Sequence, residues 1–519
     1  SKVLFTTFSS QLATCCLSFS FLLLLSRIML FAIYFILLSW IAFRMRVDEL
    51  TRSQIMIGWL VKLLFGVSFV VIHSQVYGIG SETVDWEEYM QDSITLNQVA
   101  YTDFSAYLRF LFGFDSQADM AQFLANTNHW SAGDINLLDD AKNVLRLNNL
   151  IVFFSKGQVY IHVLVFAFLS FIGLIEIYRA FKNKIQIPKV FFWFALLFFP
   201  SLGFWSGSVL KEPFLMLGMA LVLNGIFGQL TVLSCSWRLL LGTLLMIMFK
   251  PYVILVLLIC LPIYFLGKKV FTRRVYLAPV SFALIGLLIF WGAEGYRNDV
   301  TQRLTRMQYD FMNVGRGGYH VEADSVYYYF TPEQKKDLVF LDSNYVSVSH
   351  DTKAKKIRPG MRYPFDDVML TPNEGPWFLV FAGTKCGSYI ELTYINQDAG
   401  QLLKNIPEAF TNAAFRPTFW DVGGKLKIVN FIETILLFGF FAFSFWRRWR
   451  YRYIENSAEI WFMLSAAFML FVLIGWTTPV IGALVRYRLP AYLLIFIVAM
   501  IALPVKKKKH EKVYFHHRS

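Results

Sequence analysis

No Walker loop, no His-Glu-x-x-His element and no Cys-x-x-Cys pair occurs in the 519 residues, which sets aside P-loop nucleotide binding, that class of zinc peptidase and the common dithiol sites. Cysteine is scarce. Of five, Cys15, Cys16, Cys235 and Cys260 lie in or beside apolar runs and only Cys386 sits in a large polar loop, so no disulfide framework is encoded. Charge is scarce as well, at 16% of residues. The net charge of +14 would suit a nucleic-acid partner, but the basic residues fall in short clusters between apolar runs, which excludes nucleic acid and matches an integral membrane protein. What the chain has in excess is apolar surface: 56% apolar and 18% aromatic residues, with a mean hydropathy of +0.49. A soluble domain is nearer ~45–50% apolar.

About 20 apolar residues cross a bilayer as a helix. Candidate spans are 20–43, 55–73, 157–180, 189–208, 213–230, 232–249, 251–267, 276–293, 427–446, 459–476 and 481–504, about eleven in all. Arg27 interrupts the first, and the pair at 232–267 is short and broken by proline. Threaded alternately, these spans bring Arg44/Arg46/Arg52, Lys182/Lys184/Lys189, Lys268/Lys269/Arg273/Arg274, Arg447/Arg448/Arg450/Arg452 and Lys506 to Lys509 to one side. The positive-inside rule makes that side the cytoplasm and puts the C-terminus there. Leu12-Ala13-Thr14-Cys15 is like a lipoprotein cleavage site, but with so little before it the string is expected to stay uncleaved. The expected fold is an all-α polytopic membrane protein with an extracytoplasmic α+β insert. It divides into an N-terminal bundle (1–293), the insert (294–426), and C-terminal transmembrane helices with a basic cytoplasmic tail (427–519).

Two long segments fall outside. Residues 74–150 are acidic, with Glu82, Asp85, Glu87, Glu88, Asp92, Asp103, Asp115, Asp119, Asp134, Asp139 and Asp140 against only Arg109, Lys142 and Arg146. Apolar spacing around Tyr107, Leu108, Phe110, Leu111 and Phe112 predicts short amphipathic helices lying on the membrane. In 294–426, Val326 to Phe330 and Trp377 to Phe381 read as strands, and Arg316-Gly317-Gly318 and Pro372-Asn373-Glu374-Gly375 as turns. No heptads, low-complexity tract or internal repeat is present.

Five cations, Lys211, Lys250, Arg416, Arg486 and Arg488, lie at predicted outer helix ends. Such a set suits a phosphate group at headgroup depth, because guanidinium forks bind its oxygens bidentately and lysine serves as a point charge. The plainer alternative is snorkelling to bulk lipid headgroups. Lys211 and Arg488 resist it, since flanking cations are normally biased to the cytoplasmic side. Asp85, Glu88 and Asp92 share one helical face at i, i+3 and i+7, and one of them could take a proton from an acceptor hydroxyl; the alternative is an ordinary solvated acidic face. Glu212 adjoins Lys211, and Glu433 lies inside the ninth span, where Arg486 or Arg488 would be a reasonable partner. His320-Val321-Glu322 has a deaminase-like spacing without the paired cysteines, and His162 reads as a satisfied histidine of the bundle interior. No metal site is expected and no cofactor is required, though a divalent cation is left open.

The strings Pro200-Ser201-Leu202-Gly203-Phe204-Trp205-Ser206-Gly207-Ser208-Val209-Leu210-Lys211-Glu212 and Arg486-Tyr487-Arg488-Leu489-Pro490 resemble those of bacterial multi-spanning glycosyltransferases of the GT-C type, and of uncharacterised membrane proteins from polysaccharide gene clusters. Phe249-Lys250-Pro251-Tyr252, Gly387-Ser388-Tyr389-Ile390, Pro407-Glu408-Ala409-Phe410 and Phe415-Arg416-Pro417 are similar to further motifs of the latter group. The resemblance implies a polyprenyl-phosphate sugar donor used outside the bacterial inner membrane, with an acidic residue of the first outer loop as base. Asp85 fits that position best. The chain departs from the common pattern: its acidic loop follows the second span, and its outer domain comes before the last spans and not at the C-terminus.

The leading expectation is therefore transfer of a sugar from a polyprenyl-phosphate donor to an acceptor glycan, lipid or protein, with polysaccharide polymerase or ligase as close variants. A transporter or flippase is the competing class, on the strength of Pro200, Gly203 and Pro479 as helix breakers. A non-catalytic membrane subunit, docking a protein partner through 294–426, is the third.

Overall fold

The computed structural model describes residues 25–77, 85–114, 116–129, 139–323, 326–342, 345–357, 366–421, 424–451 and 455–504. The Leu12-to-Cys15 string, Cys16, Glu82, Asp115, Asp134, Arg452 and Lys506 to Lys509 lie outside them. In chain order the helices are α1 (Leu25–Arg44), α2 (Arg52–Tyr77), α3 (Asp85–Thr102), α4 (Phe104–Phe112), α5 (Gln117–Phe123), α6 (Asp140–Ser155), α7 (Val159–Phe181), α8 (Lys189–Leu197), α9 (Pro200–Trp205) and α10 (Glu212–Phe227). They continue with α11 (Val232–Phe249), α12 (Pro251–Lys269), α13 (Leu277–Gly292), α14 (Glu294–Arg316), α15 (Ala399–Lys404), α16 (Ile406–Phe415), α17 (Lys425–Arg450), α18 (Ser457–Thr477), α19 (Ile481–Tyr487) and α20 (Leu489–Ala502).

Among the described residues, seven helices are long and apolar enough to cross a membrane: α1, α2, α7, α11, α12, α17 and α18. The bent pairs α13/α14, at 97°, and α19/α20, at 50°, raise the number to nine. The chain is thus a mostly helical, multi-pass membrane protein. Two of the eleven expected spans take another form. The 189–208 run is broken: Phe199 is extended and Pro200 opens α9, giving two helices of nine and six residues. The 213–230 run becomes α10, only 16 residues long and almost wholly buried.

A break inside a bundle exposes amides and carbonyls that hydrocarbon cannot solvate. Here both sets are satisfied by charged side chains from other helices. Glu433 of α17 accepts from the Ser201 amide at 2.7 Å and from its hydroxyl. Lys62 of α2, 1% exposed, donates to the Leu202 and Gly203 carbonyls at 3.0 Å each and to Ser206 Oγ at 2.7 Å. Glu433 therefore pairs with Ser201, not with Arg486 or Arg488 as expected, because the N-terminus of α9 presents the nearer donors. Backbones approach closely beside the break, where a Cβ on Gly66 would run into the Gly207 carbonyl.

Polar contacts sort the helix ends into two groups. At one end Arg179 meets the Arg46 carbonyl (3.0 Å), Lys182 meets Asp48 (2.9 Å), Asn183 meets Gln229 (3.2 Å), and Lys184 and Lys268 share Glu459 (3.1 and 2.9 Å). At the other end lie Asp85, Asp140, Lys211, Lys250 and Arg486. The broken α8/α9 crossing and the short α10 both run between these ends, so the alternation of the basic clusters survives the shortened elements.

The 74–150 segment forms the short helices α3 to α6 where described, with Asp103, Ser116 and Asp139 as side-chain N-caps. In the insert, β1 (Tyr319–Ala323), β2 (Val326–Phe330), β3 (Leu338–Phe340), β4 (Tyr345–Val348), β5 (Thr352–Ile357), β6 (Asp366–Leu370) and β7 (Trp377–Ala382) build one antiparallel sheet. Its order is β3-β4-β7-β1-β2-β5-β6, over a core of Tyr319, Val321, Phe330, Val346 and Trp377. β2 and β7 are the two strands expected from sequence, and Gly317, at φ 87°, ends α14 at the expected turn. The insert is tied to the bundle where Ile390 N donates to Pro479 O at 2.7 Å and Ile481 N to Ser388 O at 3.0 Å.

Candidate functional site

Six ionisable side chains from five elements meet at the end of the bundle opposite Lys182, Lys184 and Lys268. Asp140 opens α6, just after Asp139, whose own carboxylate caps the Ala141 and Lys142 amides. That leaves Asp140 to bridge Lys211 Nζ at 2.7 Å and Lys250 Nζ at 3.1 Å. Lys211 immediately precedes α10, and Lys250 sits in the turn between α11 and α12. On α19, Arg486 donates to Asp85 and, through Nε at 2.5 Å, to Glu212. Lys250 also stands 4.4 Å from the centre of the Tyr487 ring. Three cations thus face three carboxylates. Two of these side chains retain capacity: Glu212, 1% exposed, has an Oε2 with no hydrogen-bond partner, and Asp140 lines a cavity.

Burial is the largest influence on the Asp85 carboxyl and pushes it up, but Arg486, then Lys211 and His129, outweigh it and hold it below its ordinary value. Asp140 behaves likewise: burial raises it, while Lys211 and Lys250 together bring it down. Both are carboxylates at neutral pH.

The cluster closes one end of a 690 Å³ cavity walled by α12, α14 and α18. Asp140, Lys250, Tyr252 and Tyr487 form its polar end, and Leu255, Ile259, Met307, Phe468, Val472 and Leu473 make most of the remainder apolar. Arg303 of α14 lines it too, as does Trp476, whose indole N–H is buried without an acceptor. Leu255 and Leu258, on α12, are more than half exposed, as side chains facing lipid would be.

The structure brings together Asp85, Lys211, Glu212, Lys250 and Arg486 from the sequence-derived set and leaves the others apart. Asp92 accepts from the Asn128 and His129 amides at 3.0 Å each and from His129 Nδ1 at 2.8 Å, fixing that turn. Glu88 lies 3.7 Å from His129 Nε2. Arg416 pairs with Asp421 at 3.0 Å. Arg488, expected at the phosphate, is fully buried instead: it donates to the Ala413 carbonyl at 3.2 Å, to the Arg416 carbonyl, and to Thr434, and lies over the Tyr492 ring. It closes the carbonyl end of α16, since residues two apart on a helix do not share a face and Arg486 already points to the cluster. His162 bonds Ser155 and Asn148, both at 2.6 Å, in the bundle interior.

Sequence reasoning passed over Asp140, one acid among many, and Lys62, whose signal was a lone lysine inside an apolar run. Among the described residues no group of three or more His, Cys, Asp or Glu side chains could hold a metal ion. Compared with family models, curated proteins and solved structures, the chain matches none.

Proposed function

We propose that the protein is a glycosyltransferase that moves a sugar from a polyprenyl-phosphate-linked donor to an acceptor outside the bacterial cytoplasmic membrane. The observation that carries this is the charged cluster at the end of an apolar, lipid-side cavity: a carrier needs a greasy slot for its tail and fixed cations for its phosphate. Lys250 and Arg303 line the cavity, and Lys211 and Arg486 stand beside its polar end in the cluster. Among the carboxylates, Asp140 lines the cavity, whereas Asp85 serves to orient Arg486; Asp140 is therefore the better-placed base.

In the transfer, the acceptor oxygen bonds to the anomeric carbon as the bond from that carbon to the phosphate oxygen breaks. The acceptor proton passes to Asp140, and the electron pair leaves with the phosphate. As phosphate competes for Lys211 and Lys250, their hold on Asp140 weakens and its proton affinity rises. When Asp140 takes the proton its charge vanishes, and both lysines turn to the departing phosphate. Stabilisation is then greatest where charge develops.

The test is twofold. Mass spectrometry of lipid bound to the purified protein should find a polyprenyl-phosphate sugar, and Asp140→Asn should bind it yet lose about 10²–10⁴ in turnover, the usual general-base effect. Absence of such a lipid together with no transfer by the wild type would overturn the proposal. Full turnover by Asp140→Asn with loss in Asp85→Asn would move the base to Asp85. The broken α8/α9 crossing favours a transporter as second reading. Against it, the carbonyls freed at the break are already bonded to Lys62.

A further inference from the structure

A second cavity, of 390 Å³, opens in the insert, between the C-terminal half of α14 and the segment 391–394. Its wall carries Tyr309, Tyr394, Arg316, Glu391, Asn313 and Thr331. The rings of Tyr309 and Tyr394 stand 6.2 Å apart at 59°, an open wedge and not a closed stack. Arg316 Nε donates to Tyr389 OH at 2.8 Å and Nη2 to Glu391, so the guanidinium is held in place while Nη1 makes no hydrogen bond to the described protein. The Glu391 side chain is 65% exposed and the Arg316 side chain 35%.

This mixture selects a ligand class. An inorganic anion would want unopposed cations, and here Glu391 cancels Arg316. An acyl chain would gain nothing from the charged and amide groups. A polyhydroxylated ring satisfies both halves: its C–H faces lie against aromatic surface, while its hydroxyls, each donor and acceptor, use guanidinium and carboxylate together. The volume lies within the ~300–1,000 Å³ typical of ligand pockets.

We propose that this cavity is a saccharide-binding subsite holding the acceptor glycan, an assignment of acceptor that rests on the transferase reading. Position adds a size requirement. With 3.6 residues per turn, the α14 residues lining the lipid-side cavity (Tyr296, Val300, Arg303, Met307) fall on one face, and Tyr309, Asn313 and Arg316 on the opposite one. The helix between the two cavities is about 10–12 Å across, and their lining residues are also offset along its axis at about 1.5 Å per residue, so the cavities are more than one helix diameter apart. A single sugar cannot occupy both; an oligosaccharide can hold one unit against Tyr394 and present another to Asp140.

Saturation-transfer NMR on the full-length protein in lipid nanodiscs tests this, with lipid-free hexose and hexuronate oligosaccharides of one to six units as probes. The longer members should bind the wild type, and Glu391→Gln, at an exposed position, should weaken binding about tenfold, as expected for one hydrogen bond to a charged group. Tyr394→Phe should bind better than Tyr394→Ala, with near-ultraviolet circular dichroism checking that each variant folds. No binding of any probe by the wild type, or undiminished binding by both Glu391→Gln and Tyr394→Ala, overturns the proposal. Failure of the transferase reading looks different: saccharide binding would persist and depend on Tyr394, while no polyprenyl-phosphate sugar binds the cluster.

Discussion

Replacing Arg486 separates what holds the cluster together from what it does. In Arg486→Ala, Glu212 would remain 1% exposed with neither oxygen paired, and Asp85 would lose its ionic partner. Removing one member of a buried pair typically costs about 3–5 kcal/mol. At 1.4 kcal/mol per power of ten, that is roughly 10² to 10³·⁵ in the unfolding equilibrium. The double variant Arg486→Met with Glu212→Gln removes both charges and keeps approximate volume, so it should recover to within about 1–2 kcal/mol of wild type, as neutral replacements of buried pairs often do. Transfer should be lost in both. Stability is read from denaturant unfolding of the detergent-solubilised protein by tryptophan fluorescence, and activity from sugar transfer in vesicles. Arg486→Ala as stable as wild type would mean that Glu212 is not paired as described. Transfer by the stable double variant would refute a phosphate-holding Arg486.

Asp85 and Asp140 are held below the ordinary 3.8, so their contribution to stability is full above about pH 5 and is lost as pH falls through their lowered values; unfolding midpoints measured from pH 3 to 7 should show this decline, and Asp140→Asn should flatten it. Lys62→Met removes the donor to the Gly203 carbonyl, while Leu202 keeps the Ser206 hydroxyl, and should cost about 1–3 kcal/mol, whereas Lys269→Met, at an exposed position, should cost almost nothing in the same unfolding assay. In intact cells, a membrane-impermeant maleimide should label Cys386 in the insert but not a cysteine introduced at Phe271, between α12 and α13; the opposite pattern would invert the assignment of the two bundle ends.

The site was legible where charge interrupts apolar sequence. Lys211, Glu212 and Arg486 stand out because little else around them is polar, and a bundle has few places to put such groups except against one another. Asp140 was hidden for the converse reason: it sits among many acids, and only the capping of α6 by Asp139 turns it toward the lysines. Arg488 looked equivalent to Arg486 in the string, but the two cannot share a direction two residues apart, and the carbonyl end of α16 claims one of them. The strands around Tyr327 and Phe378 followed from local β-branched and aromatic content. The break at Phe199 was only half legible: Pro200 announces it, while Lys62 and Glu433, which make it tolerable, lie more than a hundred residues away.

α10 is short for a membrane span. Sixteen residues rise about 24 Å, roughly 6 Å less than the ~30 Å hydrocarbon core of a typical bilayer. Gly228 follows α10 at the basic end and Lys211 precedes it at the other, level with Lys250 at the start of α12, since the one carboxylate of Asp140 bridges both lysines. Because α10 is almost wholly buried, neighbouring helices and not lipid cover it. The bilayer therefore need not adapt to the length of α10, and a phosphate held at Lys211 would meet groups that the protein, and not the membrane, positions.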